Sequence, residues 1–167
     1  SALEWTILRP SMIYGRPGDR NVERLLRLLL RWPVVPLPGG GRVPQQPVHV
    51  DDLVEAIVAA LERPEAVRRE YDVGGPEALS LRAMVEECAR ALGRRVVFLP
   101  VPLGPVHLAV RAARRAGLRT PVRPEQLLRL RESKAVDTGP ARRDLGFSPR
   151  PFAEGVAEEA ALLAQRG

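Results

Sequence analysis

The stretch ILRPSMIYG, residues 7–15, decides how this chain folds. The run at residues 4–10, rich in Trp, Thr, Ile and Leu, suits a parallel strand buried on both faces. Pro10 ends it, because proline lacks the N–H that a ladder needs and stiffens the turn that follows. Gly15 then permits a tight bend. In open α/β sheets, ligands bind at the carboxyl ends of such strands. Taken alone, these residues leave a ligand-binding turn and a purely structural turn equally open.

Working outward, strands and helices alternate. NVERLLRLLLRW carries leucines at helical spacing, with Asn21 placed as an N-cap. PVVPLPGGG is a short extended piece and a glycine loop, and PVHV is another short strand. DDLVEAIVAALERP predicts a helix with Asp52 and Glu55 in a capping-box arrangement and Pro64 as its stop. YDVGG is a strand running into a turn. SLRAMVEECARALG predicts a helix capped by Ser80, with Leu81, Met84, Val85, Cys88 and Leu92 on one face and Gly93 as its end. RVVFLPVP is a further strand. PVHLAVRAARRAG reads as a basic amphipathic helix, RPEQLLRLR as a short one, and FAEGVAEEAALLAQR as the last helix. Alternation of this kind predicts an α/β fold with short parallel strands, followed by a mostly helical region.

The 167 residues suit a single domain with its own core. No apolar run reaches the length that spans a bilayer, and the first residues lack a signal-peptide layout. The lone cysteine, Cys88, suits a reducing cytoplasm. The net charge is +6, carried almost wholly by arginine; Lys134 is the single lysine. Residues 90–131 hold ten arginines against one acid, Glu125, a run that is more often a solvated face but whose field is strong enough to attract an anionic partner or membrane surface. Nucleic acid is disfavoured, since aromatics make up 4% of the chain and do not interleave with the arginines.

Other motifs are modest. GGGRVPQQPVHVDDL, residues 39–53, brings a glycine run up to a strand, where backbone N–H groups can meet an anion. His49 lies between two valines on that strand and reads as structural. Asp51 and Asp52 read as helix-start carboxylates. No His, Cys or Asp cluster has metal-ligand spacing, and no nucleophile elbow is present.

In order, WTILRPSMIYG, QPVHVDDLVEAIVAALERP, YDVGGPEALSLRAMVEECARALGR and DLGFSPRPFAEGV resemble the carboxyl-terminal half of extended short-chain dehydrogenases/reductases, the NAD-dependent epimerase/dehydratase proteins. The middle, VFLPVPLGPVHLAVRAARRAGLRTPVRPEQLLRL, is similar to the atypical subgroup related to an accessory NAD(P)H-binding subunit of respiratory complex I. Two family motifs have no counterpart: the glycine-rich dinucleotide fingerprint and the catalytic Tyr-x-x-x-Lys. The resemblance therefore implies the carboxyl-terminal part of a Rossmann-like NAD(P)-binding fold, with no catalytic residue of its own and its Rossmann half elsewhere.

It also implies NAD or NADP as cofactor, with Pro10, Ser11, Met12 and Ile13 at the nicotinamide end. Substrate would meet Met12, Arg42, Gln45 and His49. Nucleotide sugars are the common substrates of the family. Met12 and Gln45 stand where many nucleotide-sugar enzymes carry an asparagine and a diphosphate-binding arginine, which points as readily to an apolar substrate. The pocket wall is expected from residues 35–50 and 100–120. A second copy of the chain is a further expected partner. The alternative is a non-catalytic NAD(P)-binding scaffold that docks through its basic face.

Overall fold

The computed structural model describes residues 3–16, 18, 19, 21–102, 104, 108 and 133–165. Its strands pair two by two. β1 (Thr6–Pro10) runs parallel to β6 (Arg69–Val73), and β2 (Met12–Tyr14) runs parallel to β5 (Pro47–His49). β3 (Val34–Pro38) runs parallel to β8 (Val97–Val101), while β4 (Pro44–Gln45) and β7 (Leu79–Ser80) are antiparallel. The described helices are α1 (Val22–Arg31), α2 (Val50–Glu62), α3 (Leu81–Ala91), α4 (Gly139–Leu145) and α5 (Phe152–Ala164), with short 3-10 turns at Gly39–Gly41 and Pro64–Ala66. The expected mix of short parallel strands and helices is what the chain forms.

Apolar periodicity divides these elements between two cores. One gathers Leu26 and Leu29 of α1, Leu37 of β3, Val85 and Cys88 of α3, and Val156 of α5. The other gathers Val48 of β5, Leu53 and Ala56 of α2, Tyr71 and Val73 of β6, and Leu145 of α4. Each fully buried aliphatic side chain contributes roughly 1.5–3 kcal/mol. The two cores are joined by an ion pair. Asp52 of α2 is buried and accepts the Arg150 backbone N–H at 2.9 Å and its Nε at 2.8 Å, just before α5 begins.

Several helix ends follow the sequence. Ser80 Oγ accepts the Ala83 N–H at 3.0 Å and caps α3. Cys88 is wholly buried. Two caps differ from expectation. Asn21 does not cap α1; Asp19 does, its Oδ2 accepting the Val22 N–H at 2.8 Å and the Glu23 N–H at 3.3 Å. Asn21 instead donates to the Ile13 carbonyl. α2 begins one turn earlier than Asp52, capped by His49, whose Nδ1 accepts the Asp51 N–H at 3.3 Å.

β1 departs most. It is not buried on both faces: Ile7, Arg9 and Pro10 are exposed. Among the described residues it has a strand on one side only, β6. Arg9 reaches across that pairing to Asp72 at 2.9 Å and Glu70 at 2.6 Å. Beside β1, α2 turns a second apolar face outward, formed by Val54, Ile57, Val58 and Leu61. Of the arginine-rich segment, Arg90, Arg94 and Arg95 are described. The two helices expected at residues 105–117 and 123–131, and most of the wall expected from residues 100–120, lie outside the described residues.

Candidate functional site

The turn between β1 and β2 is built by Ser11. Its N–H donates to the Val73 carbonyl at 2.9 Å, and its hydroxyl donates to the Gln46 carbonyl. This single residue thus steps the chain from pairing with β6 to pairing with β5. Both of its donors are used within the protein. Pro10 and Ile13 stay exposed beside it, and Met12 turns inward.

Gln46 is the hub of this end of the molecule. It is buried; its Nε2 donates to the Gly75 carbonyl at 2.8 Å, and its Oε1 accepts the Val136 N–H at 2.8 Å. The Lys134 N–H donates to the Pro44 carbonyl at 2.9 Å. The segment after residue 132 is thereby laid along residues 44–46, which brings Lys134 alongside Gln45. Sequence reasoning passed over Gln46, because nothing near it in the chain signals partners 29 and 90 residues away.

Between this hub and α1 lies a cleft of about 750 Å³, a size suited to a small ligand. Its apolar wall includes Met12, Leu25, Leu28, Trp32, Val43 and Met84. Its polar groups are Arg24, Arg27, Arg31 and Lys134 with Asn21 and Gln45. The helical period explains α1's part: Leu26 and Leu29 face the core, which leaves the flanking positions for the cleft. Arg27 is held by Glu23 at 2.6 Å. Among the described residues, Arg24, Arg31 and Lys134 have no acidic partner.

Of the expected substrate residues, Met12 and Gln45 line this cleft. Arg42 does not: it is exposed and lies against Gly40, although its neighbours Gly41 and Val43 do line the cleft. His49 is buried at 3% exposure and spent on the α2 cap. Its ring meets Tyr14 edge-on, with centroids 5.3 Å apart. A Cβ at Gly15 would sit 2.2 Å from His49 Nε2, and φ there is +105°, so glycine is required twice over. The opening stretch ends in glycine to make room for a buried ring.

Neither tyrosine reaches the cleft. Tyr71 is buried, and its hydroxyl bonds Asp144 at 3.0 Å. The Tyr14 hydroxyl is buried without a partner among the described residues, close over Gly155, and burial raises its pKa. Glu159, one turn further along α5, is also buried with both oxygens unpartnered among the described residues. Burial first, then the nearby Asp19 and Glu23 charges, push its carboxyl up to about 7. Among the described residues, no His, Tyr, Cys, Asp or Glu lines the cleft. Among the described residues, no cluster of three His, Cys, Asp or Glu side chains could hold a metal ion, and no helix is long and apolar enough to cross a membrane.

A model of the NAD dependent epimerase/dehydratase family matches residues 1–74. That stretch of the chain is similar to the members of that family. UDP-glucose 4-epimerase of Vibrio cholerae is 32% identical over 105 residues, which span 62% of this chain and 31% of that protein. NADH dehydrogenase [ubiquinone] 1 alpha subcomplex subunit 9 of Mus musculus is 32% identical over 156 residues, 89% of this chain and 40% of that one. The epimerase/dehydratase family fold is also seen in solved structures. The crystal structure of gox2253 superposes with a TM-score of 0.76 at 24% identity, covering 96% of this chain and 49% of that one. UDP-glucuronic acid 4-epimerase from Bacillus cereus, in complex with UDP-glucuronic acid and NAD, superposes with a TM-score of 0.68 at 20% identity, covering 97% and 46%. The chain spans well under half the length of these curated relatives and about half of the solved chains.

Proposed function

We propose that the chain is the substrate-binding part of an NAD(P)-dependent epimerase/dehydratase or reductase, completed by a nucleotide-binding α/β segment of the same protein. One observation carries this reading: the unpaired side of β1 beside the apolar outer face of α2. In a single parallel pairing, half of a strand's backbone groups face away from its partner. An uncovered edge next to Val54, Ile57, Val58 and Leu61 is the shape left when a sheet and its helices continue beyond it.

The residues at the turn fit a nicotinamide ring on its apolar side. Pro10 and Ile13 are exposed and Met12 forms the adjoining cleft wall, so a flat ring meets carbon rather than charge. Ser11 and Gln46 hold that turn in place, and both donors of Ser11 are spent in doing so. When bound, the cofactor accepts or returns a hydride. The phosphate cradle and the group that moves a proton would come from the completing segment, because no His, Tyr, Asp or Glu among the described residues lines the cleft. Nucleotide sugars, named for several relatives, are the first substrates to try.

The test is calorimetric titration of NAD and NADP into the protein with and without its preceding coding sequence. Binding by the longer protein and none by the 167-residue chain is the expected result; absence of binding by the longer protein removes the reading. A specific observation also favours the scaffold alternative. The outer face of β3 and β8 exposes Val34, Val97 and Leu99 beside Trp32, with Arg94 and Arg95 at its rim. Co-sedimentation with vesicles containing anionic lipid, lost at high salt, would support that second role.

A further inference from the structure

We propose that the cleft takes an amphipathic anion, a phosphate-type head on a hydrocarbon body, in preference to a nucleotide sugar. The inference rests on the cleft serving as the substrate site and deepens that reading by naming the ligand class.

Two stripes of α1 meet in the cleft. Arg24, Arg27 and Arg31 recur at three- and four-residue spacing, and so do Leu25, Leu28 and Trp32. The helix thus offers a row of cations beside a row of apolar side chains. Lys134 adds a further positive charge near Gln45. Among the described residues, no acid opposes Arg24, Arg31 or Lys134. Like charges gathered without counterions repel one another, and a bound anion relieves that repulsion. Guanidinium groups also hold phosphate oxygens in pairs.

The rest of the wall decides against a sugar. Met12, Val43 and Met84 continue the apolar surface from Leu25 and Leu28. Sugar hydroxyls buried there would lose water without gaining partners. Among the described residues, the neutral polar side chains on the wall are Asn21 and Gln45, and Asn21 already donates to the Ile13 carbonyl at 3.3 Å. A hydrocarbon body needs no such partners. Exposed Trp32 and Leu28, at 63% and 39% exposure, are the surfaces it would cover.

Decyl phosphate is the probe, titrated into the full-length protein by calorimetry, with inorganic phosphate, decanol and UDP-glucose as comparisons. Decyl phosphate is expected to bind about tenfold or more tightly than each of the three. The double variant Arg24→Glu/Arg31→Glu is expected to weaken decyl phosphate by about tenfold with an unchanged melting temperature, since both side chains are exposed. Leu28→Ser is expected to weaken decyl phosphate while leaving inorganic phosphate unaffected. Tighter binding of UDP-glucose, equal binding of decanol, or indifference to the double variant overturns the proposal. NAD binding in the same preparation reads the family role separately. Loss of decyl phosphate selectivity with NAD retained sinks this inference alone.

Discussion

The helices α2 and α3 are of similar length and sit in the same fold, yet one is finished and the other is not. α3 buries Met84, Val85, Cys88 and Ala89 and gives water its charged side, where Arg82 pairs with Glu86 and lies over the Phe98 ring. α2 buries Leu53 and Ala56 and still shows Val54, Ile57, Val58 and Leu61 to solvent. A helix apolar all round is normally buried all round. The difference teaches that the core around α1, α3 and α5 closes on itself, whereas the core around α2 and β6 leaves an apolar face in solvent.

The sharpest way to break this comparison is a charge on each side. Val156→Asp, inside the closed core, is expected to cost ~4 kcal/mol or more in urea denaturation, because an unpaired charge would be buried. Asp52→Ala removes one tie between the two cores and leaves the Arg150 guanidinium with Glu158 alone, 3.1 Å away. A loss of about 3 kcal/mol is expected. If the two cores then melt in separate steps by circular dichroism and fluorescence, that ion pair is what makes them one unit.

Glu159→Gln works in the opposite direction. The carboxyl titrates near 7 in the folded protein and near 4.5 when unfolded, so folding favours its protonated form. Stability from this group is complete below about pH 4.5 and is lost as pH rises through 7. The glutamine variant should gain on the order of 2 kcal/mol at pH 8–9 and flatten the pH dependence of the melting temperature. An unchanged slope would mean that Glu159 does not titrate there. The smallest effect belongs to the open side. Leu61→Asp, at a position 82% exposed, should stay within about 0.5 kcal/mol in the 167-residue chain. The same substitution should cost several times more in the full-length protein if a further layer covers α2.

The closed core was the legible part. Its helices announce themselves through leucine and valine spacing, the Ser80 cap and the stop before Pro64, all of which act within a few residues. The cleft was half legible. Met12 and Gln45 followed from family likeness, but nothing in the sequence sets Arg24 and Arg31 apart from the chain's other arginines. Lys134 meets Gln45 only because the Val136 N–H finds Gln46 across 90 residues. His49 misled because a strand residue and a helix cap look alike until the helix start is known. The exposed edge of β1 was illegible for another reason: an apolar strand is written the same way whether its neighbour is present or absent.

The outer face of α2 has a consequence for how the 167-residue chain behaves in the test tube. Dilute, it should run as a monomer; concentrated, those four aliphatic side chains should find one another or the bare strand beside them. Light scattering should therefore rise with concentration, and Leu61→Asp should hold it down.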